Sequence, residues 1–225
     1  MSEPDHIEPR RVEQGHKRVR AVLGGHVVAD TRAPVLVWEW PFYPTYHLPV
    51  ADTDLSGVPD EAVRRVRLDG RDLVRIDWEA VDQWFEEDEP VSVHARDPYV
   101  RIDALASSRH VEVAVDGVVI ADSHRPTILF ETRLPPRYYL PLTDVRLDLL
   151  RPSTTVTHCP YKGSAGYWSV QLPDGTVHDD LLWTYRAPLP ESVRVAGLVA
   201  VWTEKVDLTL DGEPQERVQT HFRVP

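Results

Sequence analysis

The side chains with the widest chemical repertoire in this chain lie together, in His158-Cys159-Pro160-Tyr161-Lys162-Gly163-Ser164-Ala165-Gly166-Tyr167-Trp168. The stretch holds the only cysteine of the protein. It offers a thiol, an imidazole, an ammonium, two phenols and an indole, with two glycines that let the backbone bend closely around something. Cys159 beside His158 and Lys162 fits an activated nucleophile. It equally fits a small buried hydrophobe, the usual state of a lone cysteine. Lys162-Gly163 fits an anion site, in which backbone N–H groups and an ammonium share a phosphate or carboxylate, and it also fits a solvated turn. Tyr161, Tyr167 and Trp168 supply the aromatic walls that small-molecule pockets use.

A second group stands upstream. Glu131 closes an apolar run, where it suits a general base, a ligand contact or a structural partner for an arginine. Arg137, Tyr138 and Tyr139 follow, between prolines 135, 136 and 141 that stiffen the segment. Further on, Glu204-Lys205 opens an alternating run. Lys205 is a third cation for the site, or an ion-pair partner of Asp207 two residues away. Trp183 and Tyr185 read as core aromatics. His94 with Asp97 gives two ligand types but no third, and no metal site is expected.

These residues need elements to hold them, and the pattern is β. Val19–Leu23 and His26–Ala29 flank Gly24-Gly25, as a hairpin requires. Val111–Val115 and Val118–Ala121 flank Asp116-Gly117 in the same way. Sliding residues 19–52 forward by 92 places them on 111–144 without a gap, and 12 of the 34 pairs are identical. This is an internal repeat. Asp69-Gly70 then matches Asp174-Gly175 and Trp78 matches Trp183, both 105 apart, so the second copy is longer between Asp144 and Asp174. The Cys-Lys stretch lies in that excess. A short helix at 60–68 competes with the hairpin reading there, and a second helix, capped by Asp77, fits 77–86. The expected organisation is a disordered or loosely docked tail over 1–17, a first repeat over 18–107, a second over 108–212, and a polar tail over 213–225 with a β-like stretch at Val218 to Val224.

Composition narrows the classes. The net charge of −11, from 36 acidic and 25 basic residues, opposes nonspecific binding to a phosphate backbone or an anionic membrane surface. One cysteine excludes an internal disulfide and multi-thiolate zinc sites. It suggests a reducing, cytoplasmic setting. No apolar run reaches the length of a membrane-spanning helix. The 20 prolines and 11 glycines suit many turns and little helix.

The run Glu131 to Pro141, then Leu150-Arg151-Pro152-Ser153, Cys159-Pro160-Tyr161-Lys162-Gly163, Tyr167-Trp168, Trp183, Pro188-Leu189-Pro190-Glu191, Ala196-Gly197-Leu198-Val199 and Glu204-Lys205-Val206-Asp207 resembles the bacterial and fungal proteins grouped as domain of unknown function 427. The resemblance covers most of the second copy. The first copy looks like a degenerate member that keeps Glu39, Pro44, Tyr46 and Pro49 but departs at the Cys-Pro-Tyr-Lys-Gly motif. The resemblance implies β-tent-like domains, two sheets leaning together over a pocket. A nucleotidyltransferase label sometimes attached to the family finds no glycine-serine motif with paired aspartates here to hold two magnesium ions.

The reading is therefore a mainly β chain, two β-tent-like or small sandwich repeats packed as a pseudo-symmetric pair. Its expected role is to bind a small polar or anionic molecule. The expected site is Glu131, Arg137, Tyr138, Tyr139, His158, Cys159, Tyr161, Lys162, Tyr167, Trp168 and Lys205. No cofactor, metal, nucleic acid or membrane partner is expected, and the oligomeric state is left open. An enzyme using Cys159 or Glu131 with Lys162, and an interaction module without pocket chemistry, are the alternatives.

Overall fold

Val111, Val113 and Val115 alternate with Glu112 and Ala114, and they form the buried side of strand β11 (Val111–Val115). The structure, a computed structural model, describes residues 11–217. Asp116 (φ 48°) and Gly117 (φ 78°) both take the left-handed conformation that a type I′ turn requires. Strand β12 (Val118–Ser123) then returns antiparallel. β2 (Val19–Leu23) and β3 (His26–Thr31) make the corresponding hairpin around Gly24-Gly25.

The chain divides into two units between Pro98 and Tyr99. In the first, β1 (Val12–Gln14), β4 (Val35–Val37), β5 (Thr45–Pro49), β6 (Val63–Leu68) and β7 (Arg71–Ile76) form a sheet of order β1-β4-β5-β7-β6. With β8 (Gln83–Glu86) and β9 (Glu89–Val91), the hairpin forms a second sheet, β3-β2-β8-β9. Val19, Ala21, Val28, Tyr46, Leu48, Val74 and Trp84 pack in one core. β1 lies inside the stretch expected as tail, where its backbone finds partners on β4. The helices weighed at 60–68 and 77–86 reduce to single 3-10 turns, Asp60–Ala62 and Trp78–Ala80, with β6 and β8 following. Val66 and Leu68 already carry the strand period there, with Val63 on the other face, and no longer apolar stripe of helical spacing exists to override it.

The second unit has β10 (Ile102–Ala106), β13 (Thr127–Glu131), β14 (Arg137–Leu140), β15 (Leu150–Cys159), β16 (Gly163–Gln171), β17 (Val177–Tyr185) and β18 (Val199–Val201). Their order is β10-β13-β14-β18-β17-β16-β15. The smaller sheet, β12-β11-β19-β20, adds β19 (Asp207–Leu210) and β20 (Glu213–Pro214). Ile128, Tyr138, Leu140, Leu182, Val199 and Val201 of the large sheet pack with Val111, Val113, Ile120, Leu208 and Leu210 of the small one. Burying a side chain of this size stabilises the fold by about 1.5–3 kcal/mol. β10, read as the end of the first copy, pairs with β13 of the second unit. The stretch Val218 to Val224 lies outside the described residues. Among the described residues, no helix is long and apolar enough to cross a membrane.

Contacts recur at the 92-residue spacing. The hairpins shift register between Ala21 and Val22 and between Val113 and Ala114. Thr31 donates to Asp52 at 2.6 Å, and Ser123 donates to Asp144 at 2.7 Å. The 105-residue spacing does not survive. Leu48 of β5 pairs with Val74 of β7, but Leu140 of β14 pairs with Val199 of β18, not with β17. Ala21 then faces Trp84 and Val113 faces Leu208, so equivalent sheet positions are 124 apart on this side. Asp69-Gly70 and Asp174-Gly175 are both hairpin turns, alike in chemistry rather than in place. Trp202, just after β18, takes the position of Trp78, just after β7. The second unit thus gains a hairpin, β15–β16. Its outer strand β15 shifts register against β16 between Pro152 and Val156.

Candidate functional site

Along β13 and β14 the side chains alternate between the two faces of the large sheet. Ile128, Tyr138 and Leu140 enter the inter-sheet core. Leu129 and Tyr139 belong to the other face, with Ala165, Tyr167, Trp183, Tyr185 and Ala200. Glu131 and Arg137 share that face by the same period. Tyr139 and Trp183 flank Ala200, and the Trp183 indole donates to the Tyr139 hydroxyl at 3.3 Å. Tyr167 and Thr157 share a hydroxyl hydrogen bond of 2.9 Å.

Glu131 receives an ion-paired hydrogen bond from Lys162. β14, β18 and β17 lie between β13 and the β15–β16 hairpin. In a flat sheet, strands so placed stand about 19 Å apart. An extended lysine and glutamate fall short of that span at bonds of ~1.5 Å. The sheet therefore curls, and the ion pair crosses its concave face. Lys162 is set by its turn: its carbonyl accepts from Leu189 N at 3.1 Å, and Gly163 takes φ +92° close to the Ala187 carbonyl. The Lys162 and Glu131 side chains are only 12% and 9% exposed.

Burial works against the Lys162 ammonium, but nearby Cys159 and Glu131 outweigh it and hold the pKa above its ordinary value. Burial pushes the Tyr139 phenol up to about 12. Burial, with Tyr139 and Cys159 close by, also raises Tyr185. At neutral pH the face thus presents a charged ammonium and protonated phenols. A second ion pair lies beside it. Arg137 grips Glu204 through two bonds of 2.6 and 2.5 Å, donates to Thr203 at 2.8 Å, and stands over the rings of Trp183 and Trp202.

Of the expected residues, Glu131, Arg137, Tyr139, Cys159, Lys162 and Tyr167 come to this face. Tyr138 and Trp168 do not: the pleat turns them into the inter-sheet core. His158 points the other way from Cys159, is exposed, and bonds Ser164 at 2.8 Å. Tyr161 is half-buried in the hairpin turn. Lys205 is exposed, and Asp207, its expected partner, pairs with Arg217. The reason is local: residues 203–205 form a turn before β19, so the period-2 register that favoured Lys205 does not reach back to it. Glu204 and Trp202, not picked from the sequence, hold Arg137 in its place. Glu204 reads as the opening of an alternating run but lies in the turn at 203–205, and Trp202 stands just before that turn. His94 and Asp97 are engaged apart, His94 stacking on Tyr43 and Asp97 accepting from Trp38.

The first unit treats its corresponding glutamate differently. Glu39 stands 3.5 Å from Arg75 of β7, a strand position that Ala200 holds in the second unit. The cation comes from the sheet itself rather than from an added hairpin. A comparison with curated proteins finds no match. The model of the family described as Domain of unknown function (DUF427) matches residues 11–66 and 103–212, most of the chain, and the chain belongs to that family.

Proposed function

We propose that the concave face of the second unit binds a small polar molecule carrying an oxyanion, with Lys162 as its charged anchor. One observation carries this reading. The Lys162 ammonium has three N–H donors, and among the described residues Glu131 is its one hydrogen-bond acceptor. A mostly buried ammonium with donors to spare, near Tyr139 and on the face that also holds Tyr185 and Trp183, suits an incoming carboxylate or phosphate oxygen. The acidic net charge makes a small anion a better partner than a polyanion.

The test uses acetate, inorganic phosphate and a sugar phosphate, titrated by ligand-observed NMR. Removing Lys162 alone strands a buried carboxylate and costs stability by itself. The informative variant is Glu131→Gln with Lys162→Met, which removes both charges. It is expected to melt within about 1 kcal/mol of the parent and to lose the anion at least tenfold. Equal affinity in the parent and the double variant, or no binding by any of the three compounds, refutes the reading.

A second reading rests on the closeness of Cys159 to Lys162. A half-buried thiol beside an ammonium is the electropositive, partly open setting in which reactive cysteines are found. Iodoacetamide is then expected to alkylate Cys159 faster than free cysteine at neutral pH, and more slowly after Glu131→Gln with Lys162→Met. A rate equal to free cysteine removes the case for a nucleophile.

A further inference from the structure

The first unit has a cavity of its own, of about 150 Å³. It is bounded by Glu39, Tyr43, Arg75, Trp78, Trp84 and His94, with Trp40 at the rim, 63% exposed. Trp78 and Trp84 stack at 5.1 Å, and the Trp84 indole donates to the Trp78 carbonyl at 3.0 Å, so these rings are fixed. Tyr43 stacks on His94 at 3.8 Å. A cavity of this size holds one six-membered ring.

Its polar end has hydrogen bonds unspent. The Glu39 carboxylate has one cationic neighbour and one imidazole near it, but both stand off: Arg75 Nε at 3.5 Å and His47 Nε2 at 3.9 Å. The guanidinium is anchored elsewhere, Nη1 donating to Asp77 at 2.8 Å. Its Nε is buried and has no hydrogen-bond partner among the described residues. A buried N–H without an acceptor is costly, and such groups gather where a ligand or water completes them. An acceptor and a donor thus lie side by side at one end of an aromatic slot.

We propose that this cavity is a ligand site separate from the face of the second unit, and that it takes a small planar molecule whose edge carries an adjacent carbonyl and N–H, the chemistry of an aromatic carboxamide or lactam. The carbonyl accepts from Arg75 Nε, the N–H donates to Glu39, and the ring lies among Tyr43, Trp78 and Trp84. The opposed charges of Glu39 and Arg75 select a neutral edge. A carboxylate sets an anion against Glu39, and an amidinium sets a cation against Arg75.

Benzamide, benzoate and benzamidine, titrated into the full chain by ligand-observed NMR, separate these cases. Benzamide is expected to bind at least tenfold more tightly than either ion. Glu39→Ala is expected to weaken benzamide at least tenfold, and Tyr43→Leu at least threefold. Val156→Ser, an exposed change in the second unit, leaves its affinity as it was. Tyr43→Leu keeps the test decisive if Glu39→Ala does not fold. Either ion binding as well as benzamide, no binding at millimolar concentration, or full affinity in every folded variant overturns the proposal.

Discussion

Arg137→Ala is expected to destabilise the second unit by about 3–5 kcal/mol, the cost of leaving one member of a buried ion pair unpaired. Arg137 and Glu204 are 12% and 10% exposed, so water reaches neither well. Truncation removes both bonds to Glu204, the bond to Thr203 and the guanidinium over Trp183 and Trp202. It leaves the Glu204 carboxylate without its main cation. In a unit of this size the loss corresponds to roughly 10 °C or more in Tm. Replacing both partners, Arg137→Met with Glu204→Leu, is expected to return more than half of that stability. The ion pair costs desolvation, and similar apolar volume does not. Urea denaturation of the three proteins measures both effects. A single variant within about 0.5 kcal/mol of the parent contradicts the burial argument.

Acid is expected to weaken the first unit well before its carboxylates protonate. His47 is 2% exposed on β5. Burial, and then the positive charge of Arg75, push its pKa from 6.5 down to about 4. Glu39, at 3.9 Å, already shares its charge with Arg75. The unfolded chain therefore binds a proton between pH 6.5 and 4 that the folded unit refuses. The stabilising contribution is complete above pH 6.5 and falls away as the pH drops towards 4. The interval corresponds to about 3 kcal/mol. Hydrogen exchange of the β5 amides at pH 7, 5.5 and 4.5 reads this directly. His47→Gln, which has no proton to gain, is expected to flatten the dependence over that range. An unchanged slope in the variant assigns the acid sensitivity to other groups.

Both hairpins were legible because turn chemistry is local: Gly24-Gly25 and Asp116-Gly117 state their backbone conformation in two residues. Glu131 was legible as a carboxylate at a strand end. The choice between Tyr138 and Tyr139 was not. The large sheet buries side chains on both faces here, so neighbouring tyrosines both read as apolar and only the register separates them. The meeting of Lys162 with Glu131 was equally hidden. It depends on β18 entering between β14 and β17, a non-sequential order, and on the curl of the sheet across it. The same insertion defeated the 105-residue alignment, since Asp-Gly turns look alike wherever a hairpin closes. Arg137 was found but its partner was not: the alternation that opens at Glu204 marks a strand that begins only at Asp207, and Glu204 itself sits in a turn.

The register shift in β15 has a consequence for the solution behaviour of the protein. Within the second unit, β15 is the last strand of its sheet, and at ten residues it is longer than the strands that most sheets leave at a margin. A long straight margin with unpaired backbone groups is a template on which another chain can add a strand and begin to aggregate. Here Pro152 has no N–H to offer, and the irregularity between it and Val156 breaks the row into two short runs. The added hairpin that brings Lys162 to Glu131 thus carries its own guard against self-association along its outer side.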